Sequence, residues 1–222
     1  MKKEINNEIQ QLHQSTSRKY LRRMNDSKIE CMKKAKRFSK DYWDGNRKYG
    51  YGGYQYIEGR NDKMVESLIK KYSLTNKSKI LDIGCGKGYL IHDLKKVLPN
   101  AEILGLEISK YAIRNCKKEI RNYISYHDIN NKTKFGNNYF DLVLCINTLH
   151  NLKLNFLLHA IRELDRISKE CYIVVESYRD EKELFNLQCW ALTCQSFFSI
   201  EEWDWIFKKQ KYKKDYDFIF FQ

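Results

Sequence analysis

A glycine-rich turn between two apolar segments constrains the fold of this chain more than any other feature. Residues 79–84 read KILDIG, a short apolar run typical of a buried strand, and residues 88–98 read GYLIHDLKKVL, with the apolar spacing of a helix. The turn between them contains Gly84, Gly86 and Gly88. A strand, a glycine loop and a helix in this order allow a backbone to approach a ligand closely at the carboxyl edge of a parallel sheet.

Segments with strand and helix patterns alternate through the rest of the chain. We expect strands at residues 101–107, 123–129, 140–147, 171–177 and 217–222, and helices at 61–72, 109–122, 152–168, 181–195 and 199–210. The fourth strand, FDLVLCIN, has an uninterrupted apolar centre, as expected when helices cover both faces of a sheet. The pattern predicts an α/β fold with a doubly wound, mainly parallel sheet over residues 61–222.

The first 60 residues do not follow this alternation. Residues 4–37 read as one or two helices with ragged apolar periodicity, and residues 1–40 hold twelve lysines and arginines against four acidic residues. A basic arm of this kind attracts nucleic acid, a membrane surface or phosphorylated ligands, although a solvated helical face in a lysine-rich protein explains it equally well. We therefore expect residues 1–60 to form a basic helical extension of the domain.

Composition also indicates the environment of the chain. No apolar run reaches the roughly 18 residues needed to cross a bilayer, and the first residues, MKKEINNEIQQLHQ, lack the apolar core of a signal peptide. A cytoplasmic protein is therefore expected. The seven cysteines include no CxxC pair, which favours free thiols over a disulfide framework, and we expect no metal site.

Three acidic residues lie at the ends of consecutive predicted strands. Asp82 lies two residues before the glycine loop, Glu107 ends the second strand and Asp128 ends the third. A carboxylate at Asp82 would repel a pyrophosphate but suits a cationic, amine-bearing cofactor. Glu107 can accept hydrogen bonds from both hydroxyls of a ribose, and Asp128 can accept one from an exocyclic adenine amine. Tyr89 replaces the last glycine of the dinucleotide fingerprint, so the pattern indicates a pocket for an adenosine that bears a positive charge.

Each of these residues also has a structural alternative. Gly84 and Gly86 could serve only close packing of helix on strand. Asp82 could hold the amides of the loop, and Glu107 could be an ordinary surface acid. Asp128 could cap its loop while the neighbouring histidine, at position 127, is the functional side chain.

These motifs resemble those of the class I S-adenosylmethionine-dependent methyltransferases, of the type-11-like group. LDIGCGKG is similar to their first motif, Glu107 and Asp128 to the acids after their second and third strands, and FDLVLCINTLHNL to their fourth-strand motif. The resemblance covers about residues 64–175 and implies a Rossmann-like fold with S-adenosyl-L-methionine as cofactor. It implies that the cofactor lies beside Asp82, Gly84, Cys85, Gly86, Gly88, Glu107, Ile108, Asp128, Ile129 and Asn147.

The two ends of the chain relate differently to this family. The family fold usually closes with two more strands, the last of them antiparallel, whereas only DFIFFQ is visible here. Either a short strand lies at residues 211–214 or the sheet is truncated. Residues 43–60, 176–178 and 190–207 further resemble a bacterial subgroup that is associated with surface-polysaccharide gene clusters.

Methyl transfer from a sulfonium requires an acceptor atom held in line with the methyl group and water kept out. An alcohol acceptor also needs a base. His150, after the fourth strand, is the first candidate and Glu176, at the end of the fifth, is the second, although both could be structural.

The segment RKYGYGGYQYIEGR, at residues 47–60, holds four glycines and four tyrosines, a composition that favours a mobile loop over a helix. Segments before the first strand commonly fold over the pocket in this family. We interpret this one as a lid in which Tyr51 and Tyr54 shield the sulfonium and hold a polar acceptor. Arg47 and Arg60, at its ends, suit a phosphate or a carboxylate. A packed surface loop is the alternative.

Three functions are compatible with the sequence. The first is O-methylation of a small polar acceptor, anionic or phosphorylated, such as a sugar, a nucleotide sugar or another precursor of a surface glycan. The second is methylation of ribosomal or transfer RNA, with the basic arm on the phosphates. The third is a non-catalytic module that binds S-adenosylmethionine.

Overall fold

The computed structural model describes residues 2–222, and for residues 2–7 it describes the backbone alone. The described residues form a sheet of six parallel strands. The strands are β1 Lys79–Ile83, β2 Glu102–Glu107, β3 Ile124–Tyr126, β4 Phe140–Ile146, β5 Ser168–Glu176 and β6 Asp215–Ile219. They pair in the order β3-β2-β1-β4-β5-β6, so the strand order reverses between β1 and β4. Ligands bind at such reversal points in open α/β sheets, and the predicted doubly wound parallel sheet is confirmed.

Helices cover both faces of this sheet. They are α1 Lys2–Gln14, α2 Tyr20–Asn25, α3 Lys28–Ala35, α4 Lys40–Trp43, α5 Asp62–Tyr72, α6 Tyr89–Val97, α7 Lys110–Arg114, α8 Leu154–Ile167, α9 Glu181–Trp190 and α10 Ile200–Lys209. Apolar side chains of α1, α5 and α6 pack on one face, and those of α8 and α10 pack on the other.

Strand β4 shows why the central strands read as unbroken apolar runs. Leu142 and Leu144 belong to the core beneath α5 and α6, while Val143 and Cys145 belong to the core beneath α8 and α10. All four side chains are fully buried. Because successive side chains of a strand point to opposite faces, a sheet covered on both sides requires an apolar residue at every position, as predicted.

Several predicted boundaries are wrong because the backbone leaves the helical or extended conformation early. The predicted helix at 109–122 is divided into α7 and a 3₁₀ helix at Lys118–Tyr123, since Lys117 between them is extended, with ψ 143°. The helix predicted at 181–195 ends at Trp190, after which Ala191 is extended. The third strand is limited to three residues, and its predicted end becomes a loop.

The N-terminal part contains more breaks than the sequence pattern indicated. Residues 4–37 were expected to form one or two helices, but α1, α2 and α3 share this segment. Ser27, between α2 and α3, has a left-handed backbone with φ 48°, which ends one helix and redirects the chain. Within the glycine- and tyrosine-rich segment, Arg47–Tyr49 form one 3₁₀ turn.

The sequence left open whether a short strand lies at residues 211–214 or the sheet is truncated, and the structure at the C-terminal end of the sheet answers this question. Helix α10 is followed by Lys211 in a left-handed conformation, with φ 55°, and residues 211–214 form no strand. β6 begins at Asp215 and pairs with β5 in parallel. No antiparallel strand is present in residues 2–222, so the sheet is truncated relative to the usual family fold.

The extension packs on the C-terminal segments of the chain. Helix α1 lies against α5 and β6, and the side chain of Gln10 donates a hydrogen bond to the Phe218 carbonyl. The Tyr20 hydroxyl donates to the Gln222 carbonyl at 3.0 Å, and the Lys28 ammonium donates to the Cys189 carbonyl at 2.7 Å. These long-range contacts place α2 and α3 beside the carboxyl edge of the sheet.

Two further features of the described chain concern its environment. All seven cysteines are free thiols, and Cys85 alone among them is not fully buried. Between residues 2 and 222, no helix combines the length and the apolar character that a membrane span requires.

Candidate active site

The glycine loop has a shape that other residues could not adopt. Gly84 and Gly86 have φ values of +75° and +59°, in the left-handed region that side chains disfavour. A Cβ atom at Gly84 would lie 2.0 Å from Oγ1 of Thr148, and one at Gly86 would lie 2.9 Å from the ring of Trp43. The loop is therefore confined between the residues after β4 and an indole from the extension.

A cavity of about 620 Å³ opens beside this loop at the carboxyl edge of the sheet. The residues predicted to surround the cofactor that line it are Asp82, Gly84, Cys85, Gly86, Glu107, Ile108, Asp128, Ile129 and Asn147. Gly88 does not line it. Gly88 precedes α6 and lies against Ile120 and Ile124, so its place in the structure is one of packing.

Asp82 has the environment of a group that requires an external partner. Its side chain is 5% exposed, and none of the described residues donates a hydrogen bond to its carboxylate. Burial, and secondarily the charge of Glu107, raise its pKa to about 7. The Gly84 amide donates a hydrogen bond to the Leu106 carbonyl, and the Gly86 amide donates to the Glu107 carboxylate. Asp82 therefore does not hold the amides of the loop. A buried carboxylate of this kind fits a cationic ligand.

Glu107 is held rigidly by the backbone. Its two oxygens accept hydrogen bonds from the amides of Gly86 and Ser109, each at 2.7 Å. Burial nevertheless raises the pKa of this carboxyl group. Each carboxylate oxygen has a second lone pair, so both can still accept a ribose hydroxyl. One oxygen of Asp128 accepts the Asn130 amide at 3.0 Å, which is the loop-capping contact considered above.

Three aromatic side chains form the roof of this cavity, and one of them, Trp43, was not predicted as a site residue. The indole of Trp43 covers Gly86 and donates to Oγ of Ser109 at 2.9 Å. The Tyr51 ring stacks on Trp43 with centroids 5.4 Å apart, and the Tyr54 ring lies 4.6 Å from that of Tyr51. Contacts with Trp43 thus place the predicted lid tyrosines over the glycine loop. In the sequence, only the position of Trp43 just before the glycine- and tyrosine-rich segment could have indicated this role.

An ion pair between a buried lysine and a partly exposed aspartate joins this roof to the loop. Lys87, in the centre of the glycine loop, is 2% exposed and donates to both oxygens of Asp44 at 2.8 and 2.7 Å. The same ammonium donates to the Tyr54 carbonyl at 2.7 Å, and the Tyr111 hydroxyl donates to Asp44 at 2.9 Å. The sequence indicates this ion pair only by a lysine within the loop motif. The partner of that lysine, 43 positions away, could not be identified from spacing.

A second cavity, of about 400 Å³, adjoins the first at the ends of β4 and β5. Asn147, Tyr51 and Tyr54 line both cavities. Asn147 has a left-handed backbone with φ 55°, a conformation that asparagine tolerates better than most residues. The predicted catalytic residues His150 and Glu176 line the second cavity. All four predicted catalytic side chains are therefore brought together.

Arginine dominates the charge of the second cavity. Its lining includes Arg18, Arg23, Arg47 and Arg60. None of these four forms an ion pair with a carboxylate in the described part of the chain. Arg47 and Arg60 were predicted as anion ligands, whereas Arg18, just before α2, and Arg23, within it, were not. Arg18 and Arg60 line the first cavity as well.

His150 and Glu176 contact each other in the lining of the second cavity. The Glu176 amide donates to Nδ1 of His150 at 3.2 Å, and Nε2 of His150 lies 3.5 Å from Oε2 of Glu176. Burial lowers the pKa of His150 to about 3, so the ring is neutral and carries its proton on Nε2. Burial raises the pKa of Glu176 to about 7, against a smaller opposing effect of Arg18. The pair thus provides a carboxyl group that can accept a proton near neutral pH and a neutral imidazole in contact with it.

A parallel sheet with a glycine loop and acids at its reversal point is an arrangement that nucleotide-binding α/β domains share. A family model described as "Methyltransferase domain" matches residues 74–220, and the chain belongs to that family. The predicted class, an S-adenosylmethionine-dependent methyltransferase, is confirmed at the level of the family.

Known proteins are similar to parts of this chain. A solved structure of a SAM-dependent methyltransferase from Archaeoglobus fulgidus has 19% identity and a TM-score of 0.54, covering 67% of this chain and 68% of that one. The YcgJ protein of Bacillus subtilis has 16% identity and a TM-score of 0.52, covering 66% of each chain. These two likenesses concern the fold alone.

A sequence relative is named malonyl-[acyl-carrier protein] O-methyltransferase, from Bacillus anthracis. It is 30% identical over 70 residues, which are 29% of this chain and 26% of the relative. The match therefore spans about a quarter of the length of that protein.

Lys87→Met should destabilise the protein by about 1.5–3 kcal/mol, because it removes the hydrogen bonds of a buried ammonium group to the partly exposed Asp44 carboxylate and to the Tyr54 carbonyl. Urea denaturation measures the change. Lys169→Met is the matched control, since Lys169 pairs with Asp141 at 2.8 Å on the surface, where such pairs contribute about 0–1 kcal/mol. Equal effects of the two substitutions would contradict the role of Lys87 as an anchor.

Proposed function

We propose that the protein transfers a methyl group from S-adenosyl-L-methionine to an oxygen atom of a small anionic acceptor held in the second cavity. The observation that supports this most is the junction of a cavity that contains three acids with one that contains four arginines. Asp82, Glu107 and Asp128 line the first cavity but not the second, and Arg23 and Arg47 line the second but not the first. Arg18 and Arg60 lie where the two cavities meet, as do Asn147, Tyr51 and Tyr54. A sugar, a nucleotide sugar or another phosphorylated precursor of a surface glycan is an acceptor of this kind.

The residues of the first cavity suit this cofactor. Asp82 would pair with its positively charged part, Glu107 with the ribose hydroxyls and Asp128 with the adenine amine, while Ile108 and Ile129 supply apolar contacts. When bound, S-adenosylmethionine supplies a methyl group on a positively charged sulfur. The chain's own contribution is to orient the two ligands and to exclude water beneath the aromatic roof.

Several observations support a small acceptor with an oxygen nucleophile. Arg18 and Arg23 line the enclosed second cavity, and Lys28 donates to the carbonyls of Cys189 and Ala191. Three charges of the basic arm thus lie at the cavity or bond to the folded chain, which supports a small molecule as the acceptor. The Bacillus anthracis relative is named as an O-methyltransferase, which supports oxygen as the acceptor atom.

Asp82→Asn should weaken S-adenosylmethionine binding at least about tenfold, the effect of roughly one lost charge-assisted contact. The wild-type affinity should rise as pH increases through about 7, because the Asp82 carboxyl loses its proton there and only the ionised form pairs with a cation.

Isothermal titration calorimetry measures both effects, with Glu119→Gln, a change at an exposed acid, as the control. If the wild-type protein bound no S-adenosylmethionine, the proposed function and the non-catalytic alternative would both fail. Binding without any methyl transfer would favour the non-catalytic module.

Glu176→Gln should reduce kcat by roughly 10²–10⁴-fold, the usual contribution of a general base. The wild-type rate should rise with pH and level off above about 7, because Glu176 accepts a proton from the acceptor hydroxyl only when its own carboxyl is ionised. The pH profile of kcat/KM is the measurement.

His150→Gln should move this profile without abolishing the activity, since Gln can replace only part of the contact of His150 with Glu176. An unchanged midpoint in that variant would show that His150 does not position the base. A flat wild-type profile would show that the acceptor needs no base at all.

Tyr51→Ala and Tyr54→Ala should each lower kcat/KM on the order of 100-fold, because the acceptor is then held less closely and water enters. The free energy of unfolding of each variant should change far less than the activation free energy to which this loss of activity corresponds. Tyr123→Ala, a change at a tyrosine that lines neither cavity, is the control. Wild-type rates in both lid variants would exclude the lid.

A further inference from the structure

We propose that Arg18, Arg23 and Arg47 form a phosphoryl-binding subsite around Trp190 in the second cavity. The acceptor would accordingly carry a phosphate monoester or a diphosphate at the end remote from the reacting hydroxyl. This inference rests on the proposed function, because it assigns a place and a chemical class to the negative charge of the acceptor.

Three guanidinium groups converge on one ring. Their central carbons lie 5.4 Å (Arg18), 4.6 Å (Arg23) and 5.1 Å (Arg47) from the centroid of Trp190, and all four residues line the cavity. Cation–π contacts of this kind fix the position of a guanidinium group but leave its charge in place. The subsite is thus a cluster of positive charge, held in position by one ring, in the lining of the second cavity.

Backbone contacts hold the three side chains in position. Arg18 donates to the Thr16 carbonyl at 3.1 Å, Arg23 to the Arg47 carbonyl at 2.6 Å, and Arg47 to the Gly50 carbonyl. Arg18 also contacts Nδ1 of His13 at 3.2 Å, and burial lowers the pKa of His13 to about 4, so this ring is neutral. Carbonyls and a neutral imidazole orient the arginines without cancelling their charge.

The charges of this cluster oppose one another. Arg47 lowers the pKa of both Arg18 and Arg23, although burial is the larger cause for each. Burial, followed by the charge of Arg23, lowers the pKa of Lys28 to about 8. Glu176 and Asp26 are the nearby acids, and Asp26 already lies 3.6 Å from Lys48. The cluster therefore has an excess of positive charge that an anionic ligand would neutralise.

The number of donors favours a phosphoryl group over a carboxylate. A carboxylate offers one charge and two oxygens, whereas a phosphate monoester offers close to two charges and three oxygens near neutral pH. Glu176 lies in the same cavity and acts electrostatically on Arg18. A ligand held by its phosphoryl group at Trp190 can therefore direct a hydroxyl group toward Glu176 and the first cavity.

Binding of inorganic phosphate, pyrophosphate and acetate to the full-length protein tests the subsite, at constant ionic strength and with S-adenosylhomocysteine present. We expect phosphate or pyrophosphate to bind by calorimetry and raise Tm, and acetate to bind at least tenfold more weakly. Tighter binding of phosphate would indicate a monoester, and tighter binding of pyrophosphate a diphosphate. Failure of the wild-type protein to bind either phosphoryl anion, or equal binding of acetate, would overturn the proposal.

Three variants locate the site. Arg23→Gln and Arg47→Gln should each weaken phosphoryl binding at least tenfold, while Arg22→Gln, at the exposed neighbouring position of the same helix, should leave it unchanged. Retained affinity for S-adenosylhomocysteine shows that each variant is folded. Equal losses in Arg22→Gln and Arg23→Gln would overturn the assignment.

The two proposals can fail separately. A protein that binds S-adenosylhomocysteine but no phosphoryl anion would refute the subsite alone. A protein that binds phosphate but neither form of the cofactor would refute the proposed function.

Discussion

The ion pair between Lys87 and Asp44 joins the two parts from which the site is built. Lys87 belongs to the glycine loop of the sheet, and Asp44 belongs to the extension just after α4. Because Lys87 is buried, separating the pair would leave its ammonium group without a charged partner, so the pair holds the extension over the loop. Trp43, Tyr51 and Tyr54 depend on that position for their contacts above the first cavity.

Acidic and basic side chains are then arranged around two adjoining cavities. Asp82, Glu107 and Asp128 line the first cavity, Arg23 and Arg47 line only the second, and Arg18 and Arg60 lie where the two meet. An uneven arrangement of opposite charges directs ligands of opposite sign to their own places. Burial, and after it the charge of Glu107, raises the pKa of Asp82. A cationic methyl donor and an anionic acceptor match this arrangement.

Sequence spacing predicted the central part of the fold well and its periphery less well. The order of strands and helices, the glycine loop and the acids at the strand ends follow from local patterns, since each depends on the backbone conformation of a few neighbouring residues. The breaks at Lys117 and Ser27 were missed, because a single residue with an extended or left-handed backbone leaves the apolar periodicity almost unchanged. The antiparallel strand of the usual family fold is absent from residues 2–222, and the sequence left that question open.

The amino-acid sequence by itself determined the parallel sheet, the turn that only glycine can make, and the class of ligand that acids at three strand ends can accept. The tertiary structure alone decided which distant side chains share a cavity. Arg18 meets Trp190 across 172 positions, and Trp43 meets Gly86 across 43. The reason is physical. A strand or a turn depends on interactions between neighbours along the chain, whereas a cavity depends on how helices pack, and no spacing in the sequence encodes that packing.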